Sequence, residues 1–285
     1  MYFLPLSILC SVLVSVFLKL ARRSKVDVGQ AVVWNYVVAS VMTAWVFHPA
    51  LTVLHDPGAP WIAMIGLGIL LPTIFLALGA SVRHAGIVRS DTAQRLSLLV
   101  SLLAAFAWFG ERPTGLKLVG IALGLVALGC MLWRGRQAQS AGSWYWPLAV
   151  FGGFATIDIL LKLVAQAGMP FATSLLAAFV LSFVVAAALV VWRWSHGQTR
   201  PAWKSVVGGL LLGVLNFGNI VFYVRAHQAL AQHPALVFAS MNLGVVVFGA
   251  LVGWLGFGEK LRSVNVAGLL LALVAIGLLA YASQA

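Results

Sequence analysis

The sequence predicts an all-α integral membrane protein of ten transmembrane helices, arranged as two inverted five-helix repeats. Three observations carry that prediction. The chain of 285 residues is 62% hydrophobic and 8% charged, against roughly 25% charged in an ordinary soluble domain. That leaves too little polar sequence to cover a soluble helical core. Apolar runs follow one another with short polar breaks, each long enough to cross a ~30 Å hydrocarbon layer, which takes about 20 helical residues. Finally, residues 109–129 (FGERPTGLKLVGIALGLVALG) and 257–277 (FGEKLRSVNVAGLLLALVAIG) are two copies of one unit, identical at nine of 21 aligned positions. An internal repeat of this kind governs the fold assignment.

Taken in order, span 1 covers 2–20 and ends in the basic cluster Arg22, Arg23 and Lys25. Span 2 (29–48) is closed by one of the two longest loops, 49–60. Span 3 (61–82) stops at Arg83, and span 4 (86–109) runs into the first copy of the repeated turn. Span 5 (116–134) is followed by Arg134 and Arg136, and span 6 covers 144–164. Span 7 (171–192) meets Arg193 and the loop 193–204, and span 8 (205–225) ends at Arg225. Span 9 (235–256) leads into the second turn with Lys260 and Arg262, and span 10 covers 264–282. None of these runs alternates polar with apolar residues, which a membrane β-barrel requires.

The repeat divides the chain into a first five-helix half, 1–140, and a second, 141–285. Because five is odd, the second half enters the membrane from the opposite side, so the halves are inverted. Carriers are often built this way, with the solute site near the midplane where the repeats meet.

The net charge of +12 is a membrane signal, not a nucleic-acid one: the basic residues come as ones, twos and threes in short loops rather than as a stripe that tracks phosphates. Loops after the odd spans hold twelve of them: Arg22, Arg23, Lys25, Arg83, Arg89, Arg134, Arg136, Arg193, Arg200, Lys204, Lys260 and Arg262. The other side has at most four: Arg112, Lys117, Lys162 and Arg225. Positive residues stay in the cytoplasm, so the count places both termini outside. Met1 opens into an apolar helix with the basic cluster after it, the wrong order for a cleaved signal peptide. Cys10 and Cys130 fall inside spans and suggest no disulfide framework. The expected location is the cell membrane as a multi-pass protein, the bacterial inner membrane in particular.

The turn-and-helix unit with Glu111 and Glu259, the five-plus-five plan and the length resemble the EamA-type transporters of the drug/metabolite transporter superfamily. Phe17-Leu18-Lys19, Trp34-Asn35-Tyr36, Arg95-Leu96-Ser97, Ile157-Asp158 with Leu161-Lys162, and Asn242-Leu243-Gly244 resemble one bacterial subgroup of them. The resemblance covers essentially the whole chain. It implies a ten-helix carrier with a central cavity lined by spans 1, 3, 4, 6, 8 and 9. It also implies cytoplasmic termini, against the charge count, and the count is followed here.

No catalytic constellation is present. The histidines (His48, His55, His84, His196, His227 and His233) sit at span ends or in loops without HExxH or paired metal spacing. No enzyme activity, cofactor, metal or nucleic-acid partner is expected. The informative groups are those buried in the spans, since each is costly in hydrocarbon and needs a partner or a wet cavity. Asp158 and Lys162 lie four residues apart on one face of span 6, in the favourable acid-first order. They read either as an internal ion pair or as a coupling or solute-contact pair, with Asp158 the candidate carrier of a coupling proton. Lys19 has the matching place in span 1, where it can snorkel.

Asp91 and Arg95 have the same spacing in span 4. Arg95 is near the midplane if the helix enters at Gly86, and one turn deep if it starts at Asp91. Gln94 and Asn242 occupy matching repeat positions, as pocket walls or as interhelical glue. Asn216, Asn219 and Tyr223 form one polar stripe on span 8, while Asn35 reads as structural. Glu111 and Glu259 sit in the turns and read as capping or turn-fixing groups, favourable near a helix N-terminus. Gly120-xxx-Gly124, Gly209-xxx-Gly213 and Gly249-xxx-Gly253 read as close-packing sites.

The expected function is a secondary carrier moving a small metabolite or drug-like solute by alternating access. Its pocket, between the repeats, would draw on Arg95, Asp158, Lys162, Asn216, Asn219, Tyr223 and Asn242. Amides with both signs of charge suit a zwitterion such as an amino acid. The expected partners are that small molecule, the lipid bilayer and a coupling proton. The alternative is a lipid-handling or scaffold membrane protein that moves no soluble solute.

Overall fold

A computed structural model describes residues 2–21, 23–56, 58–108, 114–133, 145–230 and 234–282. The first repeated turn with Glu111 and Arg112 lies outside them, as do Arg22, Arg134, Arg136 and His233. The elements in chain order are α1 (Phe3–Leu20), α2 (Val28–Phe47), α3 (Trp61–Ala85), α4 (Ile87–Leu96), α5 (Leu98–Trp108) and α6 (Gly115–Leu132). They continue as α7 (Tyr145–Gln166), α8 (Phe171–Ser195), α9 (Trp203–Ala229), α10 (Pro234–Leu251) and α11 (Ser263–Ala282). A 3₁₀ turn at Leu51–His55 follows α2, and a π turn at Val252–Gly256 extends α10. The described residues contain no strand.

Among the described residues, eight helices, counting Val237–Gly256 as one, are long and apolar enough to cross a membrane, and α6 is a shorter apolar helix. One expected span differs in detail. The apolar pattern predicts a continuous span 4 over 86–109, but the chain divides there into α4 and α5 around Ser97. The Ser97 hydroxyl donates to the Gln94 carbonyl at 2.6 Å. Such a side-chain bond competes with the backbone ladder and loosens a helix locally.

The helix ends follow local chemistry. Asp27 caps α2, its carboxylate accepting from the Gln30 amide, and Thr114 caps α6 by accepting from the Lys117 amide. Beyond α7 the chain turns at Gly168 with φ 76°, a left-handed conformation that glycine adopts without a Cβ penalty.

The helices form two compact units, each drawing on both halves of the sequence. Unit 1 comprises residues 1–16, 80–155 and 218–285, and unit 2 comprises 17–79 and 156–217. In unit 1, α6 packs antiparallel to α11 over a core that includes Ala127, Leu128, Ala272 and Leu279. The contacts are reciprocal. A Cβ on Gly120 would lie 2.8 Å from Leu279 and 3.6 Å from the Ala275 carbonyl. A Cβ on Gly268 would lie 3.0 Å from both the Met131 amide nitrogen and the Ala127 carbonyl. Gly120 and Gly268, Ala127 and Ala275, and Met131 and Leu279 are pairs at the repeat offset, so each contact recurs with the copies exchanged. That pattern marks a self-complementary two-fold interface. Asn265 then seals the end of α6, donating to the carbonyls of Cys130 at 2.9 Å and Trp133 at 3.0 Å, where the last turn of a helix runs short of backbone donors.

In unit 2, α2 packs against α8, with Tyr36 fully buried between Phe75 and Phe179. The glycines Gly209 and Gly213 bring α9 onto α2; a Cβ on them would lie 2.5 Å from the Ala31 carbonyl and 2.6 Å from Val38. The ends of α2 and α8 are tied by a polar lock. Arg193 donates to both carboxylate oxygens of Asp27 at 3.1 Å, and the Thr199 hydroxyl donates to Oδ2 at 2.9 Å. Burial on its own would raise the Asp27 carboxyl. The Arg193 fork, the Thr199 hydroxyl and the Gln30 amide outweigh it and hold the carboxyl below the usual carboxylate range.

Candidate functional site

The polar groups of unit 1 converge on α4. This helix is short and unusually polar for its surroundings, and Ser90, Asp91 and Thr92 on it are buried. Its N-terminus is held by Glu259. That carboxylate accepts from the Ile87 amide at 2.7 Å and the Val88 amide at 3.2 Å. An anion at a helix N-terminus satisfies orphan N–H groups and meets the positive end of the macrodipole. The cap that the turn residue suggested is therefore present, on a helix 172 positions away in sequence.

Arg95, in the last turn of α4, reaches across to α10 and α1. Its Nη1 donates to Asn242 Oδ1 at 3.3 Å and its Nη2 to Ser11 Oγ at 2.9 Å. Asn242 is oriented in turn by donating to the Phe238 carbonyl at 2.9 Å. Two expected site residues, one from each half of the sequence, thus meet directly. A turn earlier, Asp91 Oδ1 accepts from Ser15 Oγ at 2.7 Å.

Ser7, Ser11 and Ser15 are spaced four apart on α1, so they stand above one another on a single face. The first of them meets α9: Ser7 Oγ donates to the Asn219 carbonyl at 3.0 Å, and Asn219 Nδ2 donates to the Ser7 carbonyl at 2.9 Å. Asn219 thereby ties α9 to α1. Tyr223 packs beside the apolar cluster of Val12, Met241 and Val245, with its ring centroid 4.4 Å from that of His227.

The remaining expected residues belong to unit 2. Asp158 and Lys162 are both half-buried on α7. Asn216 donates to Asn35 Oδ1 at 3.2 Å. The span 8 stripe is therefore shared out, with Asn216 in unit 2 and Asn219 and Tyr223 in unit 1. Ser11 and Ser15 were not singled out from the sequence, although their four-residue spacing was there to be read. Asp91 was noticed as a partner for Arg95 but not placed in the site.

The sequence pattern of the EamA-like transporter family matches residues 1–133. An uncharacterized protein of Haemophilus influenzae is 39% identical over 291 residues, covering 99% of this chain and 98% of that one. The chain belongs to the EamA-like transporter family. A solved crystal structure of a protein aligns over 98% of each chain with a TM-score of 0.53 at 17% identity, a likeness of fold alone. This EamA-family protein is accordingly a multi-pass membrane transporter of the drug/metabolite type, with lipid around it and a small molecule as its substrate. The members of that family are transporters.

Proposed function

We propose that this EamA-family protein is a secondary carrier of the cell membrane, the bacterial inner membrane in particular. It moves a small metabolite with a carboxylate, such as an amino acid, by alternating access between two inverted repeats, 1–140 and 141–285. The observation that carries this reading is the Arg95–Asn242–Ser11 cluster. A guanidinium is always charged and its planar fork matches a carboxylate. Residues from both repeats hold it in a defined position, and such preorganisation makes an anion site. The reciprocal α6–α11 contacts support the inverted-repeat part of the reading, since antiparallel copies packed about a two-fold are what inversion demands.

Asn219 and Tyr223 on α9, in the same unit as this cluster, are further candidates for solute contact, and Asp158, Lys162 and Asn216 are polar candidates within the second unit. Thermal unfolding of the purified protein against a panel of amino acids and small organic acids tests this, because a ligand that binds only the folded state stabilises it. Arg95→Gln removes a charge-assisted bond worth about 1.5–3 kcal/mol, so the stabilising solute should bind roughly 10- to 150-fold more weakly. A solute that stabilises Arg95→Gln as well as the parent would remove Arg95 from the site.

A further inference from the structure

Asp91 is the buried group in unit 1 that solute recognition at Arg95 leaves without a role. It is 3% exposed. Ser15 occupies its Oδ1, but its Oδ2 is buried and has no hydrogen-bond partner among the described residues. On α10, Gly249 faces that oxygen, and a Cβ there would lie 2.7 Å from Oδ2. The charges that act on Asp91 are Arg95 on its own helix and Glu259 from the segment before α11, while α1 supplies the uncharged Ser15. Glu259 is already committed to the α4 amides.

A helix bundle in lipid tolerates ionised groups in balanced sets. With no solute present, the Asp91 carboxylate answers the Arg95 guanidinium. When a solute carboxylate engages Arg95, two anions share that single cation, with the like charge of Glu259 close by. One proton restores the balance. We infer that Asp91 is the proton-binding group of the carrier, taking up one proton at Oδ2 as a solute anion engages Arg95. The proton comes from the aqueous phase, one O–H bond forms, and the net charge around Arg95, counting the solute's carboxylate and not any cationic group it carries elsewhere, is the same before and after. Ser15 can donate to Oδ1 in both states, so it holds the carboxyl in place throughout. The inference rests on the proposed solute role of Arg95. It moves the proton from Asp158, the candidate by sequence, to a carboxyl with an oxygen facing no partner.

Infrared spectroscopy of the full-length protein in lipid reads the carboxyl directly, through the C=O stretch of a protonated acid that shifts in heavy water. Arg95→Gln imitates the loss of the counter-charge. At neutral pH it should show such a band that the parent lacks, that the Asp91→Asn/Arg95→Gln double variant loses, and that Arg95→Lys does not show. Should Arg95→Gln fail to fold, acidification of the parent serves instead: the parent should gain a band that Asp91→Asn lacks and Asp158→Asn retains. Equal spectra for the acidified parent and acidified Asp91→Asn, or a band that survives in the double variant, would overturn the assignment. Thermal stabilisation by the amino-acid panel reports separately on the solute site. The Asp91 band without any stabilising solute defeats the Arg95 reading and with it the anion linkage. Stabilisation without the band defeats the proton site alone.

Discussion

The contact between Glu259 and the start of α4 sets the position of both Asp91 and Arg95, and its strength can be worked from the structure. Glu259→Ala removes a charged acceptor from two helix amides, at 2.7 and 3.2 Å. A hydrogen bond to a charged group contributes about 1.5–3 kcal/mol. The side chain is half-buried, so water replaces part of the loss, and about 2–4 kcal/mol is expected in total. Gly86 supplies the control. Its φ is 96°, and a Cβ there would lie 2.6 Å from Glu259 Oε2. Gly86→Ala therefore costs about 1–3 kcal/mol of backbone strain and also drives the carboxylate off its amides. In the Glu259→Ala background only the strain remains. Equilibrium unfolding in mixed micelles, followed by tryptophan fluorescence, should give a cycle in which the double variant is more stable than the sum of the single losses by about 2–4 kcal/mol. Additivity to within about 0.5 kcal/mol would refute the cap, since independent sites behave that way.

The other predictions are shorter. Asp27→Ala should destabilise by about 2 kcal/mol, roughly one for the helix cap and up to one for a half-exposed ion pair. Because the folded carboxyl is held below its unfolded value near 3.9, this stabilisation is present above about pH 4. It is lost as pH falls through the folded value, so the gap in melting temperature between parent and variant should close on acidification and not on alkalinisation. Gly268→Ala should cost about 1–3 kcal/mol by overpacking, because its Cβ would meet backbone atoms of Ala127 and Met131 at 3.0 Å. Gly277→Ala meets nothing within 4 Å and should be neutral or stabilising in the same melt. In a cysteine-free background, Lys25→Cys should resist an impermeant thiol reagent in intact cells while Thr114→Cys is labelled. The reverse pattern would place the termini in the cytoplasm.

How far the chain could be read in advance follows from what each signal depends on. Span length depends only on hydrocarbon thickness, so expected spans such as 29–48 and 171–192 lie within two or three residues of α2 and α8. The role of Glu259 was half legible. A carboxylate in a turn beside a helix start points to capping, but nothing local says that the capped helix begins at Ile87. The Asp27–Arg193 pair is hidden for the same reason, with 166 positions between its members. The span 8 stripe was legible only as a pattern. Periodicity groups Asn216, Asn219 and Tyr223, but even three residues of helix rise about 4.5 Å, so each amide finds its own neighbour. Asn216 meets Asn35 and Asn219 meets Ser7.

The short helix α4 makes the complementary case. Its sequence, IVRSDTAQRL, carries two arginines, an aspartate, a serine and a threonine into an apolar protein. No local rule says which groups satisfy them, only that burying such groups unpaired is costly. The structure answers with Asn265 for Arg89, Ser81 for Ser90, the Val88 carbonyl for Thr92, Ser11 and Asn242 for Arg95, and Ser15 for one oxygen of Asp91. Asp91 Oδ2 shares its lack of a hydrogen bond with the buried Nε atoms of Arg89 and Arg95, but each arginine bonds through its other guanidinium nitrogens. A carboxyl that must alternate between two charge states has a direct reason to keep one oxygen clear of fixed donors.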